Sequence, residues 1–165
     1  MTNMDEQRRI SLDRMRYTKN TLSSSLALCA IVFNVLYFVS VYESDVGSWY
    51  YSMLIGASIV YNLLFMLMVF LASEGVKNYK IGYSYLLLGV GAGQIARIFI
   101  LPRMAYHATI TVSKISYQVM ETPQFIYVIL CLILSAVCCL AGGVIGVSRS
   151  RKLAAYNAKL GGKTA

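Results

Sequence analysis

The chain has 165 residues, of which 58% are hydrophobic and only 13% are charged, and its mean hydropathy is +0.60. Roughly a quarter of the residues are charged in an average soluble domain, so this composition argues against a soluble protein. The net charge of +8 does not indicate nucleic-acid binding, because the basic residues flank apolar runs instead of forming a separate stripe with aromatics; they favour an anionic lipid surface.

Residues 1–20 are polar and basic and precede the first apolar run. Ile10, Met15 and Tyr17 fit one side of a short surface helix, and the alternative is a solvated anchor segment. The apolar run that follows, 21–42, is too long for the core of a signal peptide, and no small-residue cleavage site closes it. We therefore expect it to remain as the first membrane span.

Four apolar runs, 21–42, 49–72, 81–101 and 124–147, each contain 21 to 24 residues and no Asp or Glu. About 20 helical residues cross a hydrocarbon core roughly 30 Å thick. A helix also satisfies its own backbone hydrogen bonds, which lipid cannot do. The sequence predicts one all-α membrane domain over 1–165, a bundle of four transmembrane helices.

The distribution of Lys and Arg predicts the orientation of this bundle. Twelve of these residues lie in the N-terminal segment, the second loop and the tail 148–165, whereas the first and third loops contain only Arg103 and Lys114. The side rich in Lys and Arg is cytoplasmic. Both termini are therefore expected in the cytoplasm. Short loops favour a bacterial inner membrane, so we predict a multi-pass protein of the cell membrane.

Two asparagines lie near the middle of the first two spans. Asn34 and Asn62 occupy equivalent positions in the similar stretches 31–37 and 59–65. Adjacent spans run in opposite directions, so this similarity arises either from an inverted repeat or by chance. An amide in lipid seeks a partner. The two side chains are expected to bond to each other or to a neighbouring backbone, or else to line a polar path.

The third span is the least ordinary, because it carries Gln94 and then Arg97, the only charge within any run. A charged side chain at the bilayer centre costs at least about 2.5 kcal/mol. Arg97 is four residues from Leu101, so it can extend towards the outer surface. There it would pair with one of the acids on that side, Glu43, Asp45 or Glu121. The alternatives are contact with an anion and a salt bridge to another chain.

The outer loop 103–123 is the longest, and its β-branched residues alternate with polar ones. This period of two predicts a small β-hairpin with its turn near Ser113 and Lys114. Such a ribbon is only marginally stable alone, so it would lie on the helix ends or on a partner. After the fourth span, the tail is expected to continue the helix until Gly161 and Gly162 end it.

Small residues four apart occur in the last two spans. Gly89 and Gly93 form one GxxxG pair, and Gly142 and Gly146 form another. Such pairs let helix backbones approach closely. They predict contact between the third and fourth spans, or contact with another subunit.

No catalytic chemistry is evident in the sequence. The single histidine, His107, has no nucleophile pattern beside it, and no common hydrolase, metalloprotease or phosphate-binding motif occurs. The four cysteines lie in apolar runs, where packing is the expected role. We expect no enzyme activity, no cofactor and no metal site.

Three functions remain open. The first is an accessory or stabilising subunit of a larger membrane complex such as a transporter, with other membrane subunits or self-association as its interactions. The second is a small homo-oligomeric transporter or channel for a neutral or anionic solute, with Asn34, Asn62, Gln94 and Arg97 along its path. The third is a lipid-interacting tetraspan that binds anionic lipids at the cytoplasmic face.

Overall fold

The computed structural model describes residues 3–41, 49–107, 109–112, 115–118 and 120–161. The elements are, in order, α1 (Asn3–Tyr17), α2 (Thr21–Val41), α3 (Trp49–Lys77), α4 (Ile81–Ile98), α5 (Leu101–His107), β1 (Thr109–Val112), β2 (Ile115–Gln118) and α6 (Thr122–Gly161).

Helices α2, α3, α4 and α6 pack as a four-helix bundle. The helix α6 packs extensively against α2 and α4, α3 also contacts α2 and α4, and α3 and α6 scarcely meet. The four helices therefore form a ring, and α6 and α3 lie across its diagonal. A backbone hydrogen bond links the C-terminal end of α3 to the start of α2, because the Asn20 N–H donates to the Lys77 carbonyl at 2.9 Å.

The exterior of this bundle is apolar, unlike that of a soluble protein. Large apolar side chains are exposed on the outside of every bundle helix. On α3 they are Met53, Val60, Leu63, Leu64, Leu67, Phe70 and Leu71. Beside an apolar core that includes Phe65, Val69 and Leu87, the interior contains many buried polar side chains. They include Ser23, Ser24, Asn34, Ser58, Asn62, Ser73, Ser84, Gln94, Arg97 and Ser135. Because apolar surface in water is unfavourable and a buried polar group requires a partner, this arrangement suits lipid surroundings.

Three helical segments, Thr21–Val41, Gly56–Lys77 and Thr122–Leu160, are long and apolar enough to cross a membrane. Together with the apolar exterior, they give the chain the features of a multi-pass helical membrane protein. The fourth predicted span, 81–101, is not in this set. Its helix, α4, has 18 residues and ends at Ile98, three residues before the predicted boundary. The glycines of α4, together with Gln94 and Arg97, lower its mean hydropathy.

Outside the bundle, α1 differs from the predicted surface helix. Met15 is half-buried and faces the end of α6, whereas Ile10 and Tyr17 are 63% and 82% exposed. These three side chains therefore do not share one buried face. The tail continues α6 to Gly161, which confirms the predicted extension of the last helix.

The segment between α4 and α6 contains a short helix and two strands. The helix α5 covers Arg103, where the sequence predicted only loop. The strands β1 and β2 pair antiparallel, with Ile110 opposite Tyr117. The predicted turn residues, Ser113 and Lys114, lie outside the described residues.

Candidate polar site inside the bundle

Two polar side chains of α4 enter the bundle from its last turns. Gln94 and Arg97 are three residues apart, so they lie on the same face of the helix. Gln94 is fully buried and Arg97 is only 5% exposed. The helix therefore presents an amide and a guanidinium to the interior, towards α2 and α3.

The Arg97 guanidinium is held by two side chains of α3. Its Nη1 donates to Asn62 Oδ1 at 2.6 Å, and its Nη2 donates to Ser58 Oγ at 2.8 Å. Ser58 and Asn62 are four residues apart, so they form one patch on the face of α3 that meets α4. Hydrogen bonds from a charged donor are shorter and stronger than neutral ones. These two bonds offset part of the cost of burying the charge.

Two tyrosine rings also contact the guanidinium. The Arg97 Cζ atom lies 4.4 Å from the ring centroid of Tyr37 on α2 and 4.8 Å from that of Tyr61 on α3. A cation is attracted to the negative face of an aromatic ring, and this attraction reaches about 2 kcal/mol away from water. The positive charge is therefore stabilised by neutral groups from two helices.

A second bond joins α4 to α2. Gln94 Nε2 donates to Asn34 Oδ1 at 2.9 Å, and both side chains are fully buried. The two asparagines of the similar stretches thus have parallel roles, because each accepts a hydrogen bond from one of the two polar side chains of α4. The site connects three helices through interhelical bonds that begin on one face of α4.

Three side-chain amide atoms of this site have no hydrogen-bond partner within the described part of the chain. They are Asn34 Nδ2, Asn62 Nδ2 and Gln94 Oε1. Two of them, Asn34 Nδ2 and Asn62 Nδ2, are donors. They belong to the two side chains whose oxygens accept hydrogen bonds from Gln94 and Arg97. The site therefore has capacity for further bonds beyond those between its own side chains.

The structure corrects two expectations from the sequence. Asn34 and Asn62 do not bond to each other, because α4 supplies a partner for each. Arg97 does not extend to the outer surface but turns inward, where Asn62, Ser58 and the two rings surround it. Of the acids proposed as its partners, Glu43 and Asp45 lie outside the described residues, and Glu121 is exposed.

Three residues of the site, Ser58, Tyr37 and Tyr61, were not predicted from the sequence. Ser58 was identifiable in principle, because it lies one helical turn before Asn62. No role was predicted for Tyr37 and Tyr61, because their spacing in the sequence does not show that both rings face α4. That information depends on how the helices are rotated within the bundle.

The predicted glycine pairs have unequal surroundings. A Cβ atom added at Gly142 would lie 3.2 Å from Leu87 of α4, and one at Gly146 would lie 2.5 Å from Ser84 Oγ, so both glycines are at the α4–α6 contact. On α4, however, Gly91 makes the close approach, because a Cβ atom added there would lie 3.1 Å from Cys139 and Leu140. Gly93 faces the Tyr61 hydroxyl, and Gly89 faces outward.

No cluster of three or more His, Cys, Asp or Glu side chains suited to a metal ion occurs in the described ranges. Within those ranges all four cysteines are free thiols, and Cys131 and Cys139 are buried. Comparisons of this chain with protein-family models, with curated proteins and with solved structures find no match.

Proposed function

We propose that this protein is a non-enzymatic accessory or stabilising subunit of a larger membrane complex, such as a transporter. It crosses the membrane four times, and both termini are cytoplasmic. In this proposal the protein is located in the cell membrane, namely the inner membrane of a bacterium. Support comes from the way α4 is placed in the bundle and from the residues on its outer face.

Packing supports α4 as the fourth span. It lies between α3 and α6, both of which are apolar enough to cross a membrane. Its 18 residues extend about 27 Å at 1.5 Å per residue, close to the roughly 30 Å of the hydrocarbon core. Four spans return the chain to its starting side, in agreement with the Lys and Arg at both ends. The two paired strands then form a ribbon on the outer side.

The observation that carries the subunit proposal is the outward face of α4. Gly82, Gly89, Ala92 and Ala96 are all exposed on it. A Cβ atom added at Gly82 or Gly89 would have no described atom within 4 Å. Small residues allow another helix to approach closely, and here no described helix of this chain does so. Gln94 and Arg97 of the same helix form hydrogen bonds inside the bundle and do not face outward. This face suits a transmembrane helix of another subunit.

A Gly89→Leu substitution tests this proposal. Purification from membranes of the native host in a mild detergent is expected to recover the wild-type chain with a larger membrane partner. The introduced leucine side chain would hold the two helices apart, so at least tenfold less partner is expected to copurify. The thermal stability of the chain itself is expected to stay unchanged, since no described atom contacts that position.

Gly56→Leu is the matched control. Gly56 is also exposed, and a Cβ atom added there would have no described atom within 4 Å, but Gly56 lies on α3. The G56L variant is expected to retain the partner. Equal recovery of partner with both variants, or a wild-type chain that purifies alone in several mild detergents, would refute the proposal.

A small homo-oligomeric transporter or channel for an anionic or neutral solute is the second candidate. It is favoured by the cationic Arg97 beside two amide donors, Asn34 Nδ2 and Asn62 Nδ2, that have no partner within the described residues. Chloride flux into proteoliposomes is the probe. This function predicts that Arg97→Leu abolishes flux in a folded protein and that Arg97→Lys retains part of it. Equal flux for R97L and wild type would exclude the role of Arg97.

A further inference from the structure

A groove of about 500 Å³ lies between α1 and the C-terminal part of α6. Three of its eight lining residues are basic, namely Arg149, Lys152 and Lys159, and none of the eight is acidic. This volume is within the usual range for small-molecule sites, about 300–1,000 Å³, and exceeds what a single inorganic phosphate fills.

The position of the groove places it beside the membrane. The last apolar run ends at residue 147, and Arg149 and Lys152 follow two and five residues later. At 1.5 Å per residue these positions lie within about 8 Å of the hydrocarbon edge along α6. The headgroup layer on each side is roughly 5–8 Å thick. The inner end of the groove is therefore at headgroup level, and Lys159 extends it towards water.

The lining combines cations with apolar carbon. Leu12 and Met15 of α1 are half-buried and face α6, and Ala155 and Tyr156 complete the wall. Free inorganic phosphate has no apolar atoms, so contact with apolar side chains does not favour its binding. A phosphodiester attached to glycerol and the start of acyl chains can use both kinds of surface. The lining therefore suits an amphiphilic anion.

No acidic side chain lines the groove among the residues that the structure describes. On α1, Asp13 pairs with Arg16 at 3.7 Å, and neither residue lines the groove. The Arg149 Nη1 atom donates to Asn20 Oδ1 at 2.9 Å, which orients this guanidinium at the start of α2. Arg151, by contrast, donates to the Tyr85 hydroxyl on α4 and lies outside the groove.

We infer that this groove binds the headgroup of an anionic phospholipid, with Arg149 and Lys152 at the phosphate and with Leu12 and Met15 against its carbon atoms. This inference goes beyond the subunit proposal and does not depend on it. It requires only that α6 leaves the membrane near residue 147, on either side.

Native mass spectrometry of the full-length protein in detergent tests the inference, with phosphatidylglycerol and phosphatidylcholine as probes. Phosphatidylglycerol is expected to bind at least tenfold more tightly. Ala155→Trp would fill the groove without a change of charge, and it should abolish this preference. The neighbouring Ala154→Trp is the matched control, since Ala154 is exposed but does not line the groove, and it should bind as wild type does.

A charge variant provides a second test if A155W fails to fold. The pair Lys152→Gln and Lys159→Gln should weaken phosphatidylglycerol binding about 25-fold, at roughly fivefold for each basic residue near a headgroup. The control pair Arg151→Gln and Lys80→Gln removes the same charge outside the groove. It should weaken binding less than about threefold.

Several results would overturn the inference. Equal losses for the two charge pairs would show diffuse attraction to the basic surface, and equal binding by A155W and A154W would show that the groove is not the site. Inorganic pyrophosphate is the soluble probe. If it bound with the same sensitivity to A155W while phosphatidylglycerol showed no preference, the ligand would be a soluble phosphate compound and the lipid assignment would fail.

Discussion

At the scale of single residues, Arg97 shows how this bundle accommodates a charge. A lone arginine within a span costs several kcal/mol, unless it reaches water or finds partners. Here two hydrogen bonds to α3 and two aromatic rings surround it. The C-terminal end of α4 is only a few residues away, so the orientation of Arg97 into the bundle reflects the partners that α2 and α3 provide.

Asn62 is the partner whose removal should matter most. Asn62→Leu removes the acceptor at 2.6 Å from the guanidinium, and hydrogen bonds to charged groups contribute about 1.5–3 kcal/mol. We expect the melting temperature in detergent to fall by roughly 5 °C. A thiol-reactive dye can follow unfolding, because Cys131 and Cys139 are buried while Cys29 gives a constant background.

Asn62→Asp is the control for this prediction. It retains an oxygen at the same position and adds a negative charge beside Arg97, so its melting temperature should equal or exceed that of the wild type. If N62L melted like the wild type, the bond would contribute nothing measurable. A drop with N62D as large as that with N62L would show that the site tolerates no change of any kind.

At the scale of elements, α6 organises the bundle. Its 40 residues extend about 60 Å, twice the thickness of the hydrocarbon core. Short side chains let it approach both neighbours, and hydrogen bonds between side chains and backbone carbonyls join it to α2. Ser135 donates to the Ala30 carbonyl of α2 at 2.9 Å, and the Gly142 carbonyl accepts a bond from Ser23 of α2. Gly142 and Gly146 also contact α4. Close backbone approach and serine hydrogen bonds thus add to the apolar contacts of the interior.

The contact of α4 with α6 should depend on Gly91 and not on Gly89. A Cβ at Gly91 would already lie 3.1 Å from Cys139 and Leu140, so the added methyl groups of Gly91→Val would overpack the interface. We expect a loss of about 1–3 kcal/mol in the free energy of unfolding. Denaturation of the purified chain in detergent measures this loss.

Gly89→Val is the matched substitution two positions earlier on the same helix. No described atom lies within 4 Å of its Cβ position, so the stability of the purified chain should be unchanged or slightly higher. If G89V were less stable than G91V, Gly89 and Gly93, the GxxxG pair predicted from the sequence, would form the internal contact.

At the scale of the whole molecule, the number of spans decides the sides on which the termini lie. Three spans would place the ends on opposite sides of the membrane, whereas four would place them on the same side. The sides on which the termini lie therefore depend on whether α4 crosses the membrane. Because it contains Arg97, α4 is the least apolar of the four predicted spans. Its position between α3 and α6 favours crossing.

Reporter fusions test this topology in a bacterial host. Green fluorescent protein fused to either end should fluoresce, since it matures in the cytoplasm. Alkaline phosphatase inserted between residues 43 and 48 should be active, because it needs the oxidising outer space. An active phosphatase at the C-terminus, with fluorescence retained at the N-terminus, would contradict four spans and leave α4 on one side.

The sequence by itself determined the membrane-spanning character of the chain, the approximate limits of its long helices and the helical tail. These follow from local properties, namely the length of apolar runs and the positions of glycine. It also singled out Asn34, Asn62, Gln94 and Arg97, because a polar group in an apolar run has a cost wherever it lies.

Only the tertiary structure decided which of these side chains meet. Pairing depends on the rotation and depth of each helix relative to its neighbours, and these are fixed by packing among α2, α3, α4 and α6. Asn62 therefore bonds to Arg97 and not to Asn34, and Gly91 makes the contact expected of Gly89 and Gly93. The groove between α1 and α6 joins residues from opposite ends of the chain, so no local pattern in the sequence could reveal it.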